Sequence, residues 1–329
     1  MSTTSKIEWT EITWNPTTGC DRISPGCDNC YALRMSKRLK AMGSAHYQTD
    51  GDPRTSGPGF GVAVHEDAFG EPLHWARPRI VFVNSMSDLG HARIHRTAVA
   101  EIFAVMALTP QHTYQVLTKR PGRLARMLTE QQFAQLYTAA VERRLAEDPK
   151  LARRFPDRAA VTASWPLANV WIGTSVESDE YCTRVAELRK IPAAVRFLSL
   201  EPLLGLLASL NLAGVDWVIA GGESGPGARP MHPDWARTLR DQCVAADVPF
   251  FFKQWGDWEP TGWRGIGHGR IEHHSLGGEP ARPIIQVGEP IDELGHRVLM
   301  RRVGKHLAGR ELDGRTWDQY PAAAVIADA

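Results

Sequence analysis

The chain has 329 residues, 43% of them hydrophobic and 23% charged, with a formal net charge of +1. That is ordinary globular composition, which excludes disorder as the default state. Near-neutral charge also excludes a global field for nucleic acid or a membrane, so either partner would need a local patch. The sequence has no run of about eighteen apolar residues, so no membrane span is expected, and MSTTSKIEWTEITW lacks the apolar core of a signal peptide. Of five cysteines, three fall within eleven residues, at 20, 27 and 30. An odd, clustered set fits thiolate ligands in a reducing cytoplasm better than an exported disulfide framework.

Taken in order, residues 12–14 form a short strand-like run ahead of the loop TTGCDRISPGCDNCYA, and residues 31–41 read as an amphipathic helix. Residues 43–78, rich in Gly, Pro, Asp and His, predict an excursion with little regular structure and one short strand at 61–64. From residue 79 the rhythm changes. RIVFVNSMSD, TYQVLTKR, NVWIGTSVES, VRFLSLEP, DWVIAGGES and PFFFKQWG are short apolar runs without strict alternation, as expected of strands buried on both faces of a parallel sheet. Helical patterns lie between them at 97–108, 123–146, 178–190 and 233–246, while 203–215 is only weakly helical.

With the run at 12–14, seven strands alternate with helices. This is an α/β pattern compatible with an open doubly wound sheet or with a partial or full parallel β/α barrel. Either layout puts the active site at the carboxyl ends of the strands, where the polar residues gather. Residues 257–329 break the rhythm, with a His- and Gly-rich segment at 265–274 and a basic stretch at 296–310. The organisation expected is a barrel over 1–256 and a C-terminal extension over 257–329 that packs on or lids it, with the last residues frayed.

Three soft sulfur ligands on a bendable loop are what a metal or iron–sulfur cluster needs. A structural zinc wants a fourth ligand, which would have to come from afar: His91, His268, His273 or His274. A [4Fe–4S] cluster held by three thiolates leaves one iron open for a substrate or cofactor. At the other strand ends, Ser85 and Asp88 suit a cationic amine beside Asn84, and Lys119 with Arg120 suits a carboxylate or phosphate. Ser175, Glu177 and Glu201 suit ribose hydroxyls or an ammonium. Gly221, Gly222 and Glu223 fit a backbone that approaches a ligand closely. Glu201, if buried, needs a cation such as Lys119 or Lys253. Lys119, Glu201 and Lys253 are the candidate catalytic groups. Cys182 and Cys243 read as packing residues on helices.

A three-cysteine loop after the first strand of a β/α barrel resembles the radical S-adenosylmethionine (SAM) superfamily, with six residues in the first gap where that superfamily has three. NPTTGC…SPGCDNCYA, VNSMSDLGH, LTKRP, GTSVE, SLEPLLG, GGESGPGARPM and FFFKQWG together resemble the phage-encoded three-Cys-motif family, a domain of unknown function, over about residues 9–258. The resemblance implies a [4Fe–4S] cluster on Cys20, Cys27 and Cys30, with SAM on the open iron. It also implies reductive cleavage to a 5′-deoxyadenosyl radical that abstracts hydrogen from an unknown substrate, a nucleic acid or modified base being one class. The further expectations are Tyr31 against cluster or adenine, a reductant such as ferredoxin or flavodoxin, and a three-Cys-motif partner protein. The rival expectations are a zinc-stabilised nucleic-acid-binding or processing protein, and a barrel that keeps the cluster for structure or redox sensing.

Overall fold

The computed structural model describes residues 2–5, 7–261, 284–287 and 298–322. The segment at 265–274 with its three histidines, positions 296 and 297, and the last residues from 323 lie outside the described residues.

The central sheet has eight strands in the order β1-β2-β5-β6-β7-β8-β9-β10. β1 (Ser2–Thr4) is an antiparallel edge strand. The other seven are parallel: β2 (Ile12–Trp14), β5 (Ile80–Val83), β6 (Thr113–Thr118), β7 (Val170–Ser175), β8 (Val195–Leu200), β9 (Trp217–Gly221) and β10 (Phe250–Gln254). A doubly wound sheet would reverse its order at a switch point. Here the parallel strands follow one another without reversal, giving a curled half-barrel open between β1 and β10. β3 (Thr17–Thr18) and β4 (Ala63–Val64) form a small ribbon beside the first strand.

Both faces of the sheet are covered, and alternation sorts them. Val81, Val83, Val116, Ile172, Leu198, Leu200, Val218, Phe250 and Phe252 belong to the main core with the helices. Phe82, Trp171, Phe197, Trp217, Ile219 and Phe251 form a second cluster with Trp9 inside the barrel, the rings of Trp171 and Trp217 meeting edge-on at 5.9 Å. This aromatic plug fills the amino-terminal half of the interior. Moving two residues at a time toward the carboxyl ends, the same inward rows turn polar at Asn84, Ser175, Ser199 and Lys253.

The helices are α1 (Tyr31–Ala41), α2 (Arg96–Ala107), α3 (Pro121–Thr129), α4 (Gln131–Glu147), α5 (Pro149–Arg154), α6 (Arg158–Ala163), α7 (Thr183–Leu188) and α8 (Pro233–Ala245). Sequence periodicity predicts one helix over 123–146; the structure splits it at Glu130, whose ψ of 138° is extended. The buried faces explain the break. Leu124 and Leu128 face the core in α3, but Phe133 and Tyr137 do so in α4. On one continuous helix Leu128 and Phe133 would point about 140° apart. The expected helix at 178–190 is a 3₁₀ turn (Asp179–Cys182) followed by α7. Cys243 is fully buried in the main core and Cys182 packs against it.

Beyond β10, β11 (Trp258–Pro260), β12 (Ile284–Val287) and β13 (Val298–Arg302) form an antiparallel sheet in the order β11-β13-β12, followed by α9 (Lys305–Ala308). The chain then runs back along β10. The Phe252 amide donates to the Trp317 carbonyl at 2.9 Å, and the Trp217 indole N–H donates to the Gln319 carbonyl at 2.8 Å. This segment covers the free edge that an open barrel would otherwise expose.

Gly173 lies between inward-facing Trp171 and Ser175, and a Cβ there would sit 2.5 Å from the Phe197 ring. Gly173→Ala should therefore cost about 1–3 kcal/mol through overpacking, read as a lower urea midpoint with an unchanged m-value.

Candidate active site

The cysteine loop begins where β3 ends. Gly19, at φ +85°, brings the chain so close to the ribbon that a Cβ would lie 2.1 Å from the Gly61 carbonyl oxygen, which only glycine permits. A 3₁₀ turn (Pro25–Cys27) follows, and Cys30 is the residue on which α1 starts. Cys20 and Cys30 rest on a pad of Ala32, Tyr47, Phe60 and Met86, so the irregular excursion at 43–78 serves as a cushion for the loop.

All three cysteines line a cavity of about 750 Å³ over the carboxyl ends of the strands. That size is within the usual range for small-molecule sites. Asn84, Ser85, Asp88, Lys119, Ser175, Glu201, Gly222, Glu223 and Lys253 line it too; Glu177 and Gly221 do not.

Several of these groups are occupied in holding the loop. Glu223 is buried and takes a two-pronged grip from Arg229 (2.8 and 2.6 Å) and a hydrogen bond from the Asn29 amide (3.0 Å). Arg229 also donates to the Pro25 carbonyl at 2.9 Å. Glu177 is fully buried between Lys119 and Arg184, 2.9 Å from each, directly under Gly26. Asp88 accepts from the Thr118 hydroxyl (2.5 Å), the Gly90 amide (2.8 Å), the Lys119 amide (3.2 Å) and Arg120 (2.8 Å). Arg120 reaches on to the Cys20 sulfur at 3.3 Å and the Asp21 carbonyl at 2.9 Å. The sequence reading offered Asp88, Glu177, Glu223, Lys119 and Arg120 to a ligand. In the structure each of them has protein partners, since buried carboxylates at strand tips need cations.

Gly222 lines the cavity and also meets a protein neighbour closely. A Cβ there would lie 2.0 Å from the Trp255 carbonyl oxygen, so the close approach is to the neighbouring strand end. At Gly221 a Cβ would make only ordinary contacts, 3.4 Å or more from any neighbour.

Other groups do face the cavity. Lys253 sits 2.8 Å from both Glu201 oxygens, supplying the cation expected for that carboxylate, and Gln254 adds a bond at 3.2 Å. The Ser85 hydroxyl donates to Asn15 at 3.2 Å, and the Tyr31 hydroxyl donates to the Ser85 carbonyl across the mouth. Asn84 holds a positive φ of 63° at the end of β5 and donates to the Thr17 hydroxyl at 2.8 Å. The sequence reading missed Ser199, Thr13, Asn15, Asp21 and Lys305 among the lining residues. Alternation from Phe197 would have found Ser199.

The three thiols do not form a preassembled single-ion site. Zinc with bonds of about 2.3 Å to sulfur draws its ligands to about 3.8 Å of one another. Among the described residues, the group of three or more metal-ligating atoms that all lie within 4.8 Å of one another is His46, His65 and Asp67, without any of the three thiols. His91, a candidate fourth zinc ligand, bonds Asp21 at 3.0 Å instead. Burial, reinforced by the charge of Asp88, pushes the Cys20 thiol up to about 12 despite Arg120. Burial also raises Cys30, against the amides of Ala32 and Leu33. Metal binding would supply the drive to deprotonate both.

The profile of a family described as a protein of unknown function (DUF5131) matches residues 4–321. No curated protein matches the chain. Among solved structures, spore photoproduct lyase complexed with dinucleoside spore photoproduct aligns at 12% identity and a TM-score of 0.38, over 74% of this chain and 63% of that one. The chain thus spans less than two thirds of that protein's length. Among the described residues no helix is long and apolar enough to cross a membrane.

The loop anchors predict a pH dependence. Burial would raise Glu177, but Lys119, Ser24 and Arg184 hold its carboxyl below the usual range; Arg229 and Asn29 do the same for Glu223. Groups depressed on folding contribute stability that is complete above their unfolded value, about 4.3, and lost as pH falls through the folded value. Denaturation midpoints should fall on acidification below about pH 4.3, and the Glu177→Gln, Glu223→Gln pair should flatten that slope while lowering stability at neutral pH.

Proposed function

The chain belongs to the DUF5131 family of proteins of unknown function, and on that footing we propose that it is a radical-SAM-like enzyme. Cys20, Cys27 and Cys30 would hold a [4Fe–4S] cluster. The observation that carries this reading is the position of the three thiols: on one loop, over the carboxyl ends of parallel strands, facing one cavity with hydrogen-bonding strand ends below them. When bound, the cluster supplies an electron for reductive cleavage of SAM, leading to hydrogen abstraction from the substrate.

The chain's own residues do the rest. Asn84 and Ser85 beside the loop, with Ser175 and Ser199 deeper in, would take the polar groups of SAM. The Glu201–Lys253 pair lies farther round the sheet and would meet the substrate, with a carboxylate and an ammonium to orient hydrogen-bonding groups or carry a proton. The aromatic plug closes the floor against water from below. The soft donor set of three thiols facing one cavity supports a cluster over a zinc knuckle.

Anaerobically purified protein should be brown, carry iron and sulfide, and release 5′-deoxyadenosine from SAM under strong reductant. Cys27→Ala should abolish both the colour and the cleavage. A colourless protein with one zinc and no cleavage would overturn the proposal, and unchanged turnover in Cys27→Ala would remove that ligand from it.

A further inference from the structure

We propose that Arg120 is a positioning residue for the metal site, donating a charge-assisted hydrogen bond to the Cys20 sulfur that raises the reduction potential of the iron held there. The inference rests on the cluster reading above and adds to it a residue outside the thiol loop.

The three cysteines have different surroundings. Cys30 receives the amides of Ala32 and Leu33 at the start of α1. Cys27 has the Ser24 hydroxyl at 3.7 Å, a neutral and long contact. Cys20 has a guanidinium: Arg120 Nη1 lies 3.3 Å from its sulfur. That guanidinium is not free to swing away. The same nitrogen donates to Asp88 at 2.8 Å, while Nη2 donates to the Asp21 carbonyl at 2.9 Å. Asp88 is itself fixed by the Thr118 hydroxyl and by the Gly90 and Lys119 amides. Both side chains are shielded, with 16% and 7% of their surface exposed.

With so little exposure the contact is little screened by solvent. A sulfur that accepts a hydrogen bond from a cation gives less electron density to iron, so the reduced, more negative state is favoured. The planar fork lets one residue serve carboxylate, carbonyl and sulfur together in a fixed geometry, where a lysine offers a mobile point charge. An arginine serving only to tie the end of β6 to the loop would need the Asp88 and Asp21 contacts but not the one to sulfur.

The test compares reconstituted wild type, Arg120→Gln and Arg120→Lys under anaerobic conditions. Iron and sulfide per chain are measured first, then the midpoint potential by spectroelectrochemical titration, with the EPR signal of the reduced protein as a second readout. The expected result is a more negative midpoint in Arg120→Gln, with Arg120→Lys between it and wild type. If Arg120→Gln fails to fold or load, Arg120→Lys decides alone: a more negative midpoint supports the proposal and an unchanged one overturns it. Full iron loading with an unchanged midpoint in both variants leaves Arg120 a structural tie and overturns the proposal while the cluster reading stands. A wild type that takes up no iron ends both, which separates the two failures.

Discussion

The thiol loop has a single 3₁₀ turn as its only regular structure, so its shape depends on ion pairs with the strand tips below it. Asp88 with Arg120, Glu177 with Lys119 and Arg184, and Glu223 with Arg229 fasten it at three points around the half-barrel. Burying a carboxylate is costly unless it is paired and its remaining lone pairs are bonded. Here Asp88 takes two amides and a hydroxyl besides its arginine, and Glu223 takes the Arg229 amide and Asn29 besides its own. Such pairs add little net stability over apolar replacements, but removing one partner strands a buried charge. They define where a loop of glycine, proline and aspartate must lie, which apolar contacts on such a chain would not do.

The seven parallel strands were legible because strands covered on both faces leave unbroken apolar runs, and each run here stops at a polar tip. Their convergence on one mouth followed from the fold class. The role of each tip was harder to read. A carboxylate after a strand looks the same in sequence whether it greets a ligand or anchors a neighbour. Asp88, Glu177 and Glu223 lie past the last ladder residue of their strands, where alternation no longer says which way a side chain points. Ser199 was hidden for the opposite reason: it sits inside VRFLSL, an apolar run that reads as core, although it shares the inward row of Phe197. The break at Glu130 was invisible to periodicity, because both halves of 121–147 place buried apolar residues at helical spacing and only the phase between them fails.

Position along the strands separates the two kinds of polar group. Lys253 is within β10 and Glu201 is one residue past β8, so their pair hangs low, just above the aromatic plug. Asp88 is five residues beyond β5, and Glu177 and Glu223 are two beyond β7 and β9, high enough to meet a loop that crosses the mouth. The cavity is therefore bounded above by thiols on anchored backbone and below by packed rings, with the Glu201–Lys253 and Asp88–Arg120 pairs and several hydroxyl or amide groups on its walls. A ligand entering such a space meets few charges that are not already balanced. Its recognition must come from shape and from hydrogen bonds to neutral groups, with Glu201 and Lys253 as the pair it can compete for. The charges that ring the mouth are paired with one another, and that pairing holds the thiol loop in place.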